Sequence, residues 1–368
     1  MADADRRGVQ TNLYLPGAPG CHCVAGRNQP PWMRLRHRAI AANDGECRQS
    51  AESNGVVVEM VPSGGSLSIM QIRNPTSQPM AAYISSSCER GAGLLNFRAQ
   101  TGESLEVGEA RVPAHEGAAS FAHEGAATRL VDCITFVVTI DGASIAQLCD
   151  TDPQPFASGA ATVSLQTIPF ETNPLAGSGG SDRAAPPHEL CFSHFPLPSP
   201  GAYLCTQGCG GMLTHYFSES FHAFDLRCDE GTPLLSMADG VVSLLVDTAT
   251  ASGIHCDNLY RWNAVGVTTS AGVTILYVHI QPGSALVQKG DSVSAGQWIC
   301  RSGSIGFSPE PHVHIEAHRT DEDGNALGGP SVPLFLLTQR RSDGALPVPY
   351  IPEAGRYYDA SGEVPKPS

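Results

Sequence analysis

Short runs of alternating apolar and polar residues mark the first half of the chain. Four of them, rich in β-branched residues, lie between residues 56 and 168: VVVEMV, SLSIMQIRN, ITFVVTID and ATVSLQTI. A side-chain period of two residues is typical of strands that bury one face. The pattern therefore predicts a small antiparallel β-sandwich over residues 46–170.

A second set of strand-like runs lies between about residues 203 and 339. GVVSLLVD, AVGVTTS and GVTILYVHI are examples, and turn sequences such as DEGTP, MADG and QKGD separate the runs. None of these runs carries the 3.6-residue period of an amphipathic helix. We therefore predict an all-β chain, with a second β-rich domain over residues 201–340.

Segments rich in glycine and proline lie outside these two regions. The chain has 39 Gly and 28 Pro, which favours many turns. We predict an irregular amino-terminal arm over residues 1–45, an interdomain linker over 171–200 and a proline-rich tail over 341–368.

The stretch HVHIEAH, residues 312–318, carries the clearest candidate chemistry. In a β-strand, His312, His314 and Glu316 project from one face, while Val313 and Ile315 point into a core. Two neighbouring imidazoles on one face need a metal or a special hydrogen-bond arrangement to offset their desolvation. The pattern indicates a functional face.

Further ligands are needed if that face holds a metal, because a catalytic zinc usually takes three protein ligands and leaves one position open. Asp225 lies in the run HAFDL, directly before a turn. We favour His215 as its companion. His222 lies an odd step from Asp225 and would share its face only if the strand bulges. His279 ends the run GVTILYVHI and is a candidate to face the reacting water.

Composition narrows the classes of partner and compartment. The formal charge of −14, from 36 acidic and 22 basic residues, would repel phosphate backbones, so we expect no nucleic-acid partner. No apolar run approaches the roughly 20 residues that span a bilayer. The amino terminus lacks the apolar core of a secretory signal, whereas twelve cysteines suit an oxidising compartment. These two signals disagree, so the sequence does not decide the compartment.

Several motifs occur together in a characteristic order. THYFSESFHAFDLRCDEGTPLLSMADGVV is followed by YVHI, and then by VQKGDSVSAGQWICRSGSIGFSPEPHVHIE. Over about residues 203–335, this order resembles the lysostaphin/LytM-type zinc metallopeptidases, whose bacterial members cleave peptidoglycan cross-bridges. The resemblance implies a duplicated-hybrid-motif, hammerhead-like β-sheet domain.

The resemblance also implies roles for individual residues. One zinc ion per chain would be bound by His215, Asp225 and His314, while His279 and His312 would act on the water and the developing oxyanion. Glu316 is a candidate to orient one of the histidines. The commonest family pattern places the first histidine four residues before the aspartate. Here His215 precedes Asp225 by ten residues, as in relatives with a longer loop.

The expected function is therefore that of a zinc-dependent metalloendopeptidase that hydrolyses peptide bonds through metal-activated water. Peptides or peptidoglycan-like chains, including Gly-rich cross-bridges, are the expected substrates. The alternative is a catalytically inactive binding or scaffold protein that retains the metallopeptidase fold.

Overall fold

The computed structural model describes residues 32–42, 50–62, 68–88, 128–150, 161–170, 186–211, 213–320, 329–339 and 346–367. In these residues the regular structure is β-strand, apart from two single-turn 3-10 helices at His188–Leu190 and Cys256–Asn258. The predicted all-β fold class is confirmed. None of the described helices has the length and apolarity that a bilayer crossing requires.

Among the described residues, eight strands form the amino-terminal domain. They are β1 (Trp32–Ala42), β2 (Ser50–Ser53), β3 (Val56–Pro62), β4 (Ser68–Asn74), β5 (Met80–Cys88), β6 (Thr128–Ile140), β7 (Ser144–Asp150) and β8 (Ala161–Pro169). The strands form two four-stranded antiparallel sheets, in the orders β1-β6-β5-β8 and β2-β3-β4-β7.

The two sheets pack face to face as the sequence pattern predicts. Met80, Ala82 and Ile84 of β5 contribute alternate residues to one apolar cluster, which also contains residues of β3, β4, β6 and β8. Alternation along β5 turns the intervening residues, such as Tyr83, to the opposite face of the sheet. That face is also buried, because it contacts the second domain. The sandwich therefore has one internal core and one docking face.

In the described part of the carboxyl-terminal domain, fourteen strands are present. They are β9 (Cys191–Phe192), β10 (Tyr203–Gln207), β11 (Phe224–Arg227), β12 (Pro233–Leu235), β13 (Gly240–Val246), β14 (Ala264–Thr268), β15 (Val273–Val278), β16 (Ser292–Val293), β17 (Trp298–Arg301), β18 (His312–Arg319), β19 (Phe335–Leu337), β20 (Pro349–Tyr350), β21 (Tyr357–Asp359) and β22 (Gly362–Val364). Nine strands form a central sheet in the order β16-β13-β14-β15-β18-β11-β10-β21-β22.

The central sheet separates an apolar core from a polar face. Phe224, Tyr277, Val313 and Ile315 are fully buried in one cluster on the core side. Alternation along β18 places the histidines of HVHIE on the other side, as the sequence predicts. Cys205, Cys228 and Cys300 are thiols within the same core.

The sandwich contacts the carboxyl-terminal domain through β5, β6 and β8. An interdomain apolar cluster joins Ala81, Tyr83, Val137 and Ile168 of the sandwich to residues of three loops in the other domain: Leu213, Tyr216, Ile254, Cys256, Leu259 and Phe307. Hydrogen bonds cross the same interface, including Thr135 Oγ1 to the Ile254 carbonyl at 2.6 Å and the Cys256 N–H to Ser85 Oγ at 2.8 Å. The two domains therefore share a mixed apolar and polar interface.

The ordered structure extends beyond the segments that composition singled out. β1 lies inside the predicted irregular arm and pairs with β6 along its whole length. In the predicted linker, β9 pairs with β19, and in the predicted tail, β21 pairs with β10. Tyr358 of that tail is buried in the core. β1 and β9 lie at sheet edges, and edge strands tolerate flanking proline, so composition concealed both. Residues 1–31 and 171–185 lie outside the described residues.

The sandwich core should contribute strongly to stability at Ile84. Its side chain is fully buried between the sheets, whereas Ile145 of β7 is 57% exposed. We expect Ile84→Ala to lower the free energy of unfolding by about 2–5 kcal/mol, through lost burial and a residual cavity. Ile145→Ala, the matched control, should change it by less than about 0.5 kcal/mol. Urea unfolding followed by circular dichroism measures both, and equal effects would contradict this packing.

Candidate metal centre

Three side chains from distant parts of the chain converge on one point. Asp225 Oδ1 lies 3.0 Å from His314 Nδ1 and 3.3 Å from His215 Nε2. The two imidazole nitrogens are 3.1 Å apart. None of the three residues is more than 8% exposed. The structure thus brings together the three residues predicted as metal ligands, in a buried triangle of two nitrogens and one oxygen.

Two of these side chains are held by adjacent strands. β11 pairs with β18 in a register that sets Asp225 directly opposite His314. Directly opposed residues of an antiparallel pair have Cβ atoms about 4.5–5.5 Å apart, so their side chains meet without any loop rearrangement. The separation of Asp225 and His314 is therefore fixed by the sheet itself.

His215 reaches the triangle from the loop between β10 and β11. Its backbone N–H donates to the Gly211 carbonyl at 2.8 Å, which closes a single turn. The alternative candidate, His222, is not part of the triangle. Its ring Nδ1 lies 2.9 Å from the Ser331 carbonyl oxygen instead. Of the two candidates, the fold places His215 beside Asp225.

The remaining polar atoms of the triangle are bonded elsewhere. His215 Nδ1 lies 3.1 Å from the Gly208 carbonyl oxygen, and His314 Nε2 lies 3.1 Å from Glu316 Oε2. A carbonyl or carboxylate oxygen accepts the ring N–H on that side, which leaves a lone pair on the opposite nitrogen. His215 Nε2 and His314 Nδ1 therefore both turn a potential ligand atom towards Asp225 Oδ1.

Gln207, which the sequence did not single out, secures Asp225 and the loop together. Its Nε2 donates to Asp225 Oδ2 at 2.9 Å, and its Oε1 accepts from the N–H groups of Leu213 and Thr214, each at 3.1 Å. This amide occupies the second oxygen of Asp225, so Oδ1 remains directed at the histidines. No sequence signal pointed to it, because a glutamine at a strand end is common.

Carboxylates dominate the electrostatics around His314. Burial acts to lower its pKa, but the neighbouring Glu316 and Asp225 outweigh burial and raise the pKa to about 10. Burial likewise opposes ionisation of Asp225, yet the imidazoles of His215 and His312 hold the pKa of its carboxyl well below the usual range. The metal-free centre therefore holds a proton between carboxylates, where a cation is favoured.

Two further imidazoles border the triangle. The His312 and His279 ring centroids are 4.6 Å apart, and His312 Nε2 lies 3.7 Å from Asp225 Oδ1. His279 Nδ1 is 2.5 Å from the Ile305 carbonyl oxygen, and His312 Nδ1 is 2.7 Å from that of Glu310. Both rings therefore donate through Nδ1 and carry a lone pair at Nε2.

Burial keeps these two imidazoles neutral. It is the largest cause that lowers the pKa of His279, with the neighbouring His312 and His314 adding to it, and it also lowers the pKa of His312. His279 further adopts a φ of +65° at the end of β15. This left-handed conformation is uncommon outside glycine, and it directs the backbone where the strand ends. Neutral imidazoles of this kind can accept a proton.

A second cluster of potential ligands lies at the interdomain interface. His255, Cys256 and Asp257 are consecutive residues with ligand atoms close to one another. The Asp257 N–H donates to His255 Nδ1 at 3.3 Å, which caps the 3-10 turn. That bond gives His255 a structural role in the turn.

Comparisons with known proteins bear on the same part of the chain. Residues 220–326 match the model of peptidase family M23. A protein of Haemophilus influenzae, described as an uncharacterized metalloprotease, is 30% identical over 103 residues. Residues 220–326 are an M23 peptidase domain. Asp225, His279, His312 and His314 lie inside this range, whereas His215 lies five residues before it.

The M23 domain also has likenesses among solved structures. A mutant of the catalytic domain of the prophage-encoded M23 protein EnpA from Enterococcus faecalis is 26% identical, with a TM-score of 0.28, covering 38% of this chain and 92% of that one. Lysostaphin from Staphylococcus simulans is 24% identical, with a TM-score of 0.26, and the match covers 34% of this chain and 47% of lysostaphin. The Haemophilus match covers 28% of this chain and 19% of that relative's length.

The affinity of the M23 domain for a metal ion should continue to rise with pH above the pH range in which ordinary histidines lose their proton. Because the pKa of His314 is about 10, its imidazolium persists at neutral pH and a divalent ion must displace a proton. We expect zinc affinity to rise about tenfold per pH unit between about pH 7.5 and 9. Calorimetric titration in buffers of different ionisation enthalpy measures the affinity and the proton release.

Glu316→Gln provides the control for this linkage. It removes one of the two carboxylates that raise the pKa of His314, so the slope above pH 7.5 should become shallower. A wild-type affinity that is already independent of pH at about pH 7.5 would contradict the raised pKa.

Proposed function

We propose that the M23 domain is a zinc-dependent metalloendopeptidase whose ion is bound by His215, Asp225 and His314. One observation carries the proposal: three potential ligand atoms lie 3.0, 3.1 and 3.3 Å from one another, and His314 Nδ1 offers its lone pair once it has released its proton. Ligands about 2.0–2.1 Å from a tetrahedral zinc ion are about 3.3 Å apart, so the donor set fits this ion. Two imidazoles and one carboxylate also leave a fourth position for water.

The bound ion would supply Lewis acidity that polarises the scissile carbonyl and lowers the pKa of water. His279 and His312 would handle the protons. Each ring donates its Nδ1 proton to a backbone carbonyl, so its Nε2 carries a lone pair. Each Nε2 can therefore accept a proton from the attacking water and return it to the leaving amine. Once protonated, either imidazolium can stabilise the negative charge that develops on the carbonyl oxygen.

Glu316 would hold the His314 ring in place. Its carboxylate lies between His314 Nε2, at 3.1 Å, and His318 Nε2, at 3.3 Å. A carboxylate that accepts the distal N–H of a ligand histidine fixes its tautomer and increases its basicity. This arrangement supports the orienting role that we propose for Glu316.

The substrate class we propose is a peptide chain, such as a Gly-rich or peptidoglycan-type cross-bridge. The resemblance of the sequence motifs to enzymes that cleave such bridges supports this class. The alternative is a binding or scaffold protein that retains the fold without turnover.

Metal analysis tests the ligand assignment. The purified chain should contain about one zinc ion. Removing a ligand in His314→Ala should cost more than the roughly 10–100-fold in affinity that is typical of an outer partner. His222→Ala is the matched control, since that ring contacts Ser331 instead of the centre, and it should retain full zinc content. Unchanged zinc in His314→Ala would refute the assignment.

Peptide hydrolysis tests the activity itself. Gly-rich and cross-bridged peptides should yield new amino groups, a chelator should abolish the reaction, and added zinc should restore it. His279→Ala and His312→Ala should retain zinc and lose about 10²–10⁴-fold in kcat, the usual contribution of a general acid–base group. If zinc-loaded protein is inert on every peptide while it still binds them, the scaffold function is favoured instead.

A further inference from the structure

The ligand His215 is held differently from its two partners. Asp225 and His314 are opposed residues of paired strands, whereas His215 lies on the loop that joins β10 to β11 and outside the range matched by the family. A loop lacks the ladder of hydrogen bonds that fixes a strand, so it needs other contacts to hold a side chain at ligand distance.

Part of this support comes from within the carboxyl-terminal domain. Gln207 accepts the N–H groups of Leu213 and Thr214, and Gly208 accepts the ring Nδ1 proton of His215. These contacts secure the inner side of the loop. The carbonyl of Leu213 and the ring of Tyr216, which lie on either side of His215 in the sequence, face the outer side of the loop.

The sandwich supplies the contacts on that outer side. Tyr83 is fully buried on the docking face of β5, and its hydroxyl lies 2.8 Å from the Leu213 carbonyl oxygen and 2.5 Å from the Tyr216 hydroxyl. A carbonyl oxygen only accepts, so the Tyr83 O–H donates to Leu213 and accepts from Tyr216. One hydroxyl therefore joins the two residues on either side of the His215 segment.

Ring packing reinforces this junction. The Tyr83 ring meets Phe307 edge to face, with centroids 5.4 Å apart, and Tyr216 packs against Phe170 of the sandwich with centroids 5.6 Å apart. These rings belong to the same interdomain cluster as Leu213. The His215 loop is thus clamped between its own domain and the sandwich.

We propose that Tyr83 is a positioning residue of the metal centre, through which the amino-terminal sandwich holds the His215 loop at ligand distance. The proposal rests on the proposed function, because it assumes that His215 binds zinc. It assigns the sandwich a role in building the site. Zinc affinity should then depend on a hydroxyl that touches no ligand atom.

The decisive variant is Tyr83→Phe in the full-length chain. It keeps the ring that packs against Phe307 and removes only the hydroxyl between Leu213 and Tyr216. We expect zinc affinity to fall about 10–100-fold, as is typical when an outer partner of a ligand is lost. The cobalt(II)-substituted protein should also show a changed visible absorption spectrum, because this spectrum reports the ligand geometry and not the stability of the fold.

Two variants provide the comparison. Thr135→Val removes a hydroxyl from the same interface, but its partners are the Ile254 carbonyl and Ser85 Oγ, away from the three proposed zinc ligands. It should keep wild-type zinc affinity and cobalt spectrum. Tyr216→Phe removes one of the two bonds of the Tyr83 hydroxyl and leaves the one to Leu213, so we expect a loss of affinity that is measurable but smaller than that of Tyr83→Phe.

The outcomes separate this inference from the function on which it rests. Wild-type chain that binds no zinc refutes both. Zinc binding by the wild type with unchanged affinity and spectrum in Tyr83→Phe refutes the positioning role alone. An equal loss in Thr135→Val also refutes it, since any interface defect would then suffice. If Tyr83→Phe does not fold, Tyr216→Phe decides, and wild-type affinity there overturns the proposal.

Discussion

The burial of one carboxylate constrains the rest of this site. Asp225 is 6% exposed, and its Oδ1 contacts the rings of His215 and His314. An ionised carboxylate removed from water is stable only when positive charge and hydrogen bonds replace its hydration. The amide of Gln207 satisfies one oxygen, and the cluster of imidazoles, or a cation bound among them, satisfies the other. The surrounding elements are arranged to meet this requirement.

The three side chains of the centre are held in place in two different ways. The pairing of β11 with β18 fixes Asp225 and His314 directly opposite each other. The third side chain comes from a loop, so its position depends on contacts made outside the sheet. Gln207 and Tyr83 make these contacts from opposite sides.

The two remaining imidazoles illustrate how burial selects a protonation state. His279 and His312 each bond a backbone carbonyl through Nδ1, and burial lowers the pKa of both. His314 lies beside them, yet two carboxylates reverse the effect of its burial. His312 and His314, two residues apart on β18, thus differ in charge because of their partners. This difference suits one ring for a cation site and the others for proton transfer.

The local sequence determined the elements that depend only on residues near one another in the chain. The period of two residues gave the sandwich and the central sheet, and the parity of HVHIE placed its histidines on the polar face with Val313 and Ile315 in the core. The motif order in the second half was specific enough to indicate the family. Composition misled where proline-rich segments form short strands, such as β9 at a sheet edge and β21 between β10 and β22, since such strands need few ladder bonds.

Only the tertiary structure decided how residues far apart in sequence meet. The choice of His215 over His222 depended on the path of a loop, and strand parity does not extend across a loop. The junction at Tyr83 joins positions 130 residues apart, to Leu213, and 133 apart, to Tyr216. No periodicity encodes such contacts, because they arise from the packing of two separately patterned domains. The residues that meet in this site were therefore predictable from the sequence, whereas the contacts that support them were not.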